Sequence, residues 1–261
     1  MSLPPIGGDA PLVFVAGPCV IEPGDGVFRI AEALTRLRVP VIFKASFDKA
    51  NRSDGSAFRG PGLEAGLEVL AQVRRRFDLP LLTDVHAPEQ CAPAAEVVDV
   101  LQIPAFLCRQ TDLVRAAAAT GRPVNLKRGQ FLDPRRMGRL VEKAGGRAWV
   151  TERGTTFGHG DLVFDPRALV WMGAIGVPVL FDCTHSVQAS AGEAAHTGGD
   201  REMVLPLARA AAAVGVAGFY AEVHLDPPRA LSDAATQLDP AAFARLVAAV
   251  SAIDAARRAS A

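Results

Sequence analysis

Of the 28 basic residues in this 261-residue chain only Lys44, Lys49, Lys127 and Lys143 are lysines. Two of them share one stretch, Val41-Ile-Phe-Lys-Ala-Ser-Phe-Asp-Lys-Ala-Asn-Arg-Ser53. The stretch begins as an apolar, β-branched run and breaks at Lys44 into a loop that carries Lys49, Asn51, Arg52 and Ser53. Charged and polar donors gathered behind one strand end are the chemistry of a phosphate or carboxylate site. A short basic loop is as often plain solvated surface, and this segment alone leaves both readings open.

The elements that must hold these residues recur along the chain. Eight short apolar runs read as buried strands: Leu12–Ala16, Val39–Phe43, Leu79–Thr83, Val97–Ile103, Val124–Leu126, Ala148–Thr151, Val177–Phe181 and Gly218–Ala221. Helical periodicity lies between them, as in Val27, Ile30, Ala31, Leu34 and Leu37, then Leu63, Leu67, Leu70 and Val73. Asp133-Pro134, Asp165-Pro166 and Asp239-Pro240 predict helix starts, with an aspartate cap and a proline where the missing N–H costs nothing. Gly121 and Gly145-Gly146 predict helix ends. Eight strand–helix units with strands apolar throughout predict an α/β fold, a single-domain (β/α)8 TIM barrel over residues 1–261. An open doubly wound sheet is the alternative, disfavoured because no strand is followed by a G-x-G-x-x-G turn.

Chemistry in such a barrel collects at the carboxyl ends of the strands. Reading there gives Cys19, Lys44, Asp84 with His86, Gln102, Lys127, Glu152 with Arg153, Asp182 with His185, and Glu222. Any one of these could be ordinary loop polarity. Burying such groups is costly unless they pair or bind something, and here every unit contributes a polar or metal-capable one.

Composition excludes several classes. A net charge of zero and a pI near 7.0 argue against a general nucleic-acid or anionic-membrane binder, so any basic site is local. No apolar run is long enough to span a bilayer, and Met-Ser-Leu-Pro-Pro does not resemble a signal peptide, so the expected compartment is the cytoplasm. Cys19, Cys91, Cys108 and Cys183 are widely spaced without a CxxC pair, which suggests neither a disulfide framework nor a zinc ribbon. His159, His196 and His224 read first as loop residues, the last able either to orient Glu222 or to cap its own loop.

Gly17-Pro-Cys19, Lys49-Ala-Asn-Arg-Ser53, Arg59-Gly-Pro-Gly62, Thr83-Asp-Val-His86, Pro104-Ala-Phe-Leu-Cys-Arg-Gln-Thr-Asp112, Phe181-Asp-Cys-Thr-His-Ser-Val-Gln188 and Glu222-Val-His224 occur in this order. From about residue 12 to residue 240 the chain resembles the 3-deoxy-D-manno-octulosonate 8-phosphate synthases, also called 2-dehydro-3-deoxyphosphooctonate aldolases. The resemblance implies a barrel enzyme, a homotetramer, that condenses phosphoenolpyruvate with D-arabinose 5-phosphate and water. The related 3-deoxy-D-arabino-heptulosonate 7-phosphate synthases use erythrose 4-phosphate and carry Lys-Pro-Arg-Thr where this chain has Lys-Ala-Asn-Arg-Ser. A barrel that binds a phosphorylated metabolite without turnover is the third reading, and loss of Lys127, His185 or a metal ligand would be its mark.

The resemblance also assigns residues. Lys44, Lys49, Lys127, Arg153 and His185 are expected around phosphoenolpyruvate, with Gln102 among the substrate-binding groups. Asn51, Arg52, Ser53 and a neighbouring subunit's Arg109 are expected on arabinose 5-phosphate. Cysteine at position 19, where the metal-independent members have asparagine, implies a divalent metal on Cys19, His185, Glu222 and Asp233. One thiolate, one imidazole and two carboxylates suit zinc, iron(II) or manganese better than calcium or magnesium. His185, Asp84, Asp233 and Lys127 are the expected catalytic groups, with His86 and Glu152 as further proton carriers.

Overall fold

Eight parallel strands close into a barrel in a computed structural model that describes residues 2–50, 55–156, 160–189 and 198–260. The units run β1 (Val13–Gly17) and α1 (Gly26–Thr35), β2 (Val41–Lys44) and α2 (Leu63–Phe77), β3 (Leu81–Asp84) and α3 (Cys91–Val97), then β4 (Val100–Ile103) and α4 (Thr111–Ala119). They continue with β5 (Val124–Lys127) and α5 (Met137–Lys143), β6 (Ala148–Glu152) and α6 (Arg167–Gly173), and β7 (Val179–Asp182). After β7 comes a two-stranded antiparallel ribbon, β8 (Gln188–Ala189) and β9 (Gly198–Gly199), followed by α7 (Val204–Val214). The last barrel strand, β10 (Gly218–Glu222), pairs with both β1 and β7 and closes the ring before α8 (Pro240–Ala259). The barrel expectation holds, and the open sheet is excluded by that closure.

Every barrel strand but β4 ends one residue later than its apolar run. Lys44, Asp84, Lys127, Glu152, Asp182 and Glu222 are the last residues of their strands rather than the first of the loops. Backbone pairing carries them: Asp84 lies opposite Gln102, Lys127 opposite Thr151 and Gly17 opposite Glu222.

The period of two then decides where each side chain points. Val13, Val15, Ile42, Leu82, Val100, Trp149, Leu180 and Tyr220 fill the barrel interior, with Leu3 and Ile6 packed against them. The alternate set, including Phe14, Phe43, Leu81, Leu101, Leu126, Val150, Phe181 and Phe219, faces the helices. Two residues past Ile42, Leu82, Val100, Leu180 and Tyr220 come Lys44, Asp84, Gln102, Asp182 and Glu222, which therefore point into the barrel's mouth. Gly17 meets a different demand: a Cβ there would run into the backbone carbonyl of Lys44 on β2.

The aspartate caps hold for α8 and for the 3-10 turn Pro134–Arg136 that leads into α5, whereas α6 starts at Arg167 with Pro166 in the capping position and Asp165 one residue earlier. Asp239 accepts from the N–H of Ala242 at 2.7 Å, and Asp133 and Asp165 accept from Arg135 and Arg167 at 3.0 Å each. Gly121, Gly145 and Gly146 take positive φ where α4 and α5 end.

Candidate active site

The mouth of the barrel is a buried mosaic of charge. Lys44 Nζ donates to the Pro18 carbonyl at 3.2 Å, the Cys19 carbonyl at 2.8 Å and Glu222 Oε1 at 2.8 Å, which accounts for its three protons. Burial opposes its charge, but Glu222, Cys19 and Asp84 outweigh that and hold the ammonium above its ordinary value. Lys49 enters from the loop after β2, with Nζ 3.9 Å from Glu222 Oε1. The stem of that loop is pinned by Lys49 N–H to the Arg59 carbonyl at 2.8 Å and by a two-pronged Arg59–Asp48 pair at 2.8 and 2.6 Å. Asn51, Arg52 and Ser53 lie outside the described residues, as do His159 and His196.

Lys127, at the end of β5, stacks its Nζ 3.8 Å from the ring centre of Tyr220, the chain's only tyrosine. The same Nζ pairs with Asp182 Oδ2 at 2.5 Å. Burial pushes its pKa down; Asp182 and Glu222 oppose this, the charge of Arg153 adds to it, and the net shift is downward. Arg153 is buried, with its Nη2 donating to Gln188 Oε1, while its Nε has no hydrogen-bond partner among the described residues. A buried guanidinium with an unspent donor beside a second cation is electrostatically poised for an anion.

His185 sits in the turn after β7. Asp182 accepts its backbone N–H at 2.9 Å, and the Asp182 carboxylate lies 2.8 Å from the ring Nδ1. That bond orients the ring so that Nδ1 faces Asp182 and Nε2 faces Glu222 Oε1 at 3.7 Å and Asp233 Oδ2 at 3.8 Å. Although burial opposes ionisation, His185 and Lys127 hold Asp182 far below the usual carboxylate range. Lys44, with His185 and Lys49, does the same for Glu222 against its own burial.

Ligand atoms of Cys19, Glu222 and Asp233 all lie within 4.8 Å of one another. Cys19 Sγ is 2.8 Å from Ser232 Oγ and donates to Asp233 Oδ2 at 3.1 Å. Burial, then Asp233 and Glu222, hold the thiol well above its ordinary pKa. Asp233 reaches inward from a left-handed backbone (φ +47°), a conformation that aspartate tolerates and that recurs at functional sites. Glu222 Oε2 is buried without a hydrogen-bond partner among the described residues.

Asp84 accepts from Ser46 Oγ and lies 3.2 Å from His86 Nε2 through its other oxygen. Burial resists its charge, but Lys49 and His86 keep it well below the usual carboxylate range. Gln102 accepts from Asn125 Nδ2 at 2.9 Å, and Asn125 accepts from Thr151 at 2.7 Å, so a polar chain crosses the mouth on β4, β5 and β6.

One reading requires correction, and one open alternative is settled. Glu152 does not face the mouth, since its parity is opposite to that of Arg153. It lies outside the barrel wall, where Arg128 Nε and Nη2 grip it at 2.5 Å each and the Gly154 N–H adds a bond at 2.7 Å. Of the two readings of His224 the loop cap holds: its Nδ1 accepts the N–H of Asp226 at 3.0 Å and its Nε2 lies 3.4 Å from Glu22, so it does not orient Glu222. Arg109 is exposed on the loop between β4 and α4, where its carbonyl accepts from Lys143 Nζ at 3.5 Å.

Residue-by-residue reading missed Asp182 as the orienter of His185, Arg128 as the partner of Glu152, and Gln188 and Ser232 beside Arg153 and Cys19. The strand period offered a signal for the first two. None existed for Ser232, which lies 213 residues from Cys19.

The sequence profile of the DAHP synthetase I family matches residues 4–256. Among curated relatives, the 2-dehydro-3-deoxyphosphooctonate aldolase of Bordetella pertussis is 50% identical over 263 residues, covering 95% of this chain and 92% of its own. Those of Paracidovorax citrulli and Rickettsia bellii are 52% and 53% identical, each over 87% of this chain and 85% and 86% of their own.

Proposed function

The chain belongs to the DAHP synthetase I family, and from that premise we infer that it is an enzyme that condenses phosphoenolpyruvate with D-arabinose 5-phosphate and water. The products are 3-deoxy-D-manno-octulosonate 8-phosphate and inorganic phosphate. The observation that carries this reading is half-identity, over nearly the whole of both chains, to relatives bearing the octonate aldolase name. It favours arabinose 5-phosphate over erythrose 4-phosphate as acceptor. A barrel that merely binds such metabolites is disfavoured, because Lys127 and His185 converge with the three-ligand cluster.

The unspent Nε of Arg153, with Lys127 and Lys49, supplies donors for the carboxylate and phosphate of phosphoenolpyruvate. Lys44, engaged at all three protons, contributes its charge and holds Cys19 and Glu222 in place. Asn51, Arg52 and Ser53 follow Lys49 and would take the sugar phosphate, leaving the aldehyde facing the vinyl carbon. Arg109, with Phe106 exposed three residues before it, would reach a neighbouring copy's site, which supports the homotetramer.

A divalent ion fits the residues present. Glu222 Oε2 is a buried lone-pair donor without a partner among the described residues, His185 presents Nε2, and Cys19 and Asp233 complete a mixed sulfur, nitrogen and oxygen set. Zinc, iron(II) or manganese bound there would orient substrate and acidify a water. Asp84 accepts from Ser46 and lies beside His86, and the charges of Lys49 and His86 keep it ionised against its burial, so it serves as a fixed negative charge in the mouth. Asp233 and His185 are the groups placed to move a proton at the alkoxide or the attacking water. No described helix is long and apolar enough to cross a membrane, and phosphorylated substrates favour the cytoplasm.

The test is turnover with arabinose 5-phosphate against erythrose 4-phosphate, with and without chelator. Turnover of erythrose 4-phosphate alone would reverse the substrate assignment, and full activity in chelator would remove the metal. In oxygen-18 water the label belongs in the product's C2 oxygen; label in the released phosphate would reject C–O cleavage.

A further inference from the structure

Between the cation that faces phosphoenolpyruvate and the carboxylate assigned to the metal stands one neutral side chain, Gln188. Its Oε1 accepts from Arg153 Nη2, and its Nε2 donates to Asp233 Oδ1 at 3.2 Å. Only this orientation of the amide makes both bonds, because the flipped form would set donor against donor and acceptor against acceptor. The backbone of Gln188 is held just as firmly. Its N–H donates to the His185 carbonyl at 3.2 Å, its carbonyl accepts from Leu162 at 3.0 Å, and it pairs with Gly199 across the ribbon. The loops after β6 and β7 and the loop carrying Asp233 therefore meet at this residue.

The bond to Oδ1 has a directional consequence. It leaves Asp233 Oδ2 as the oxygen turned toward Cys19 Sγ at 3.1 Å and His185 Nε2 at 3.8 Å. Arg153, for its part, spends one Nη2 contact on Gln188 and keeps Nε free among the described residues. A dipolar amide between a guanidinium and a carboxylate is polarised by both, so neutralising either end changes its grip on the other.

We propose that Gln188 is a positioning residue that links the two halves of the site, so that phosphoenolpyruvate on Arg153 and a divalent ion on Asp233 strengthen each other's binding. The inference rests on the ligand and substrate assignments above. Linkage of this kind is reciprocal, and its usual size is about fivefold or more in affinity.

The experiment measures cobalt(II) affinity by competition with a chromophoric chelator, with and without saturating phosphoenolpyruvate. The thiolate-to-cobalt absorption band reports the ligand set independently of activity. Wild type should bind cobalt at least about fivefold more tightly when phosphoenolpyruvate is present. In Gln188→Met the cobalt Kd should rise roughly tenfold, as loss of an outer-shell partner does, and the linkage should fall toward one. Gln188→Glu, nearly isosteric, keeps the acceptor for Arg153 but sets a carboxylate against Asp233. It should weaken cobalt further and raise KM for phosphoenolpyruvate while leaving KM for arabinose 5-phosphate in place. Linkage equal to wild type in both variants overturns the bridge alone. Failure of the wild type to bind cobalt, or binding indifferent to Asp233→Asn, overturns the metal assignment and the bridge with it.

Discussion

Glu152→Gln should damage this enzyme out of proportion to its distance from the substrates. Arg128 and Glu152 are both 0% exposed, and their two bonds are 2.5 Å each. Arg128 also donates to the carbonyls of Gly129 at 3.1 Å, Leu132 at 2.5 Å and Gly154 at 3.0 Å, and to Thr155 Oγ1 at 2.7 Å. The pair thus ties together the loops that leave β5 and β6. A glutamine at 152 can still accept through Oε1 from Gly154 and Arg128 Nη2, but its amide nitrogen would face the Nε–H of Arg128, donor against donor. Removing one charge of a buried pair costs about 3–5 kcal/mol. The neutral acceptors that remain around Arg128 argue for the lower end, about 3 kcal/mol, or a fall in Tm of roughly 6–12 °C for a chain of this size.

Function should suffer selectively. Lys127 precedes Arg128 and Arg153 follows Glu152, with each neighbour pointing to the opposite side of the wall. Loosening the clamp turns both cations, so KM for phosphoenolpyruvate should rise while KM for arabinose 5-phosphate changes little. The assay is thermal unfolding followed by circular dichroism, beside kinetics varied in each substrate. Glu32→Gln, which breaks an exposed pair with Arg36, is the control and should cost at most about 0.5 kcal/mol. The double variant Arg128→Leu/Glu152→Leu should not recover, because it strands the carbonyls that Arg128 satisfies. A Glu152→Gln enzyme with wild-type Tm and wild-type KM for phosphoenolpyruvate would refute the reasoning.

Three further outcomes are expected. Cys19→Asn should retain partial activity that chelator does not remove, whereas Cys19→Ala should be nearly inactive; full loss in both would give the ion an indispensable chemical role. Because Cys19 is held as a thiol bonded to Asp233, loading zinc at neutral pH should release a proton, read by an indicator in weak buffer, and Cys19→Asn should release none. Lys127 holds its anion only while protonated and its pKa is lowered, so KM for phosphoenolpyruvate should rise with a midpoint below about 10.4, and Lys127→Arg should flatten that limb. Asp84, Asp182 and Glu222 are depressed in the folded state, so the stability they contribute is complete above the unfolded carboxylate range and lost as pH falls through their folded values. Acid unfolding should begin below about pH 4 and be less steep in Asp182→Asn.

The barrel was legible in the chain because its signals are local. A buried strand must be apolar on both faces, and Asp-Pro and glycine mark helix ends through backbone chemistry that needs no partner. The strand ends were legible for the same reason, with Lys44, Asp84, Lys127, Asp182 and Glu222 each standing where its apolar run stops and Gln102 interrupting the end of its own. Direction is one step less local. Arg153 and Glu152 are adjacent and chemically loud, yet the two-residue period sends one into the mouth and the other into the wall. Reading Glu152 as a proton carrier ignored that period.

Partnerships are not local at all. Cys19 meets Asp233 across 214 residues and Lys44 meets Glu222 across 178, distances over which no sequence spacing carries geometry. By itself the sequence determined the eight units and the charges at their ends, because propensity and burial act residue by residue. Only the closed barrel decided which charges neutralise one another and which retain a free donor or lone pair. Ring closure sets β1 beside β10, and with it Cys19 near Glu222.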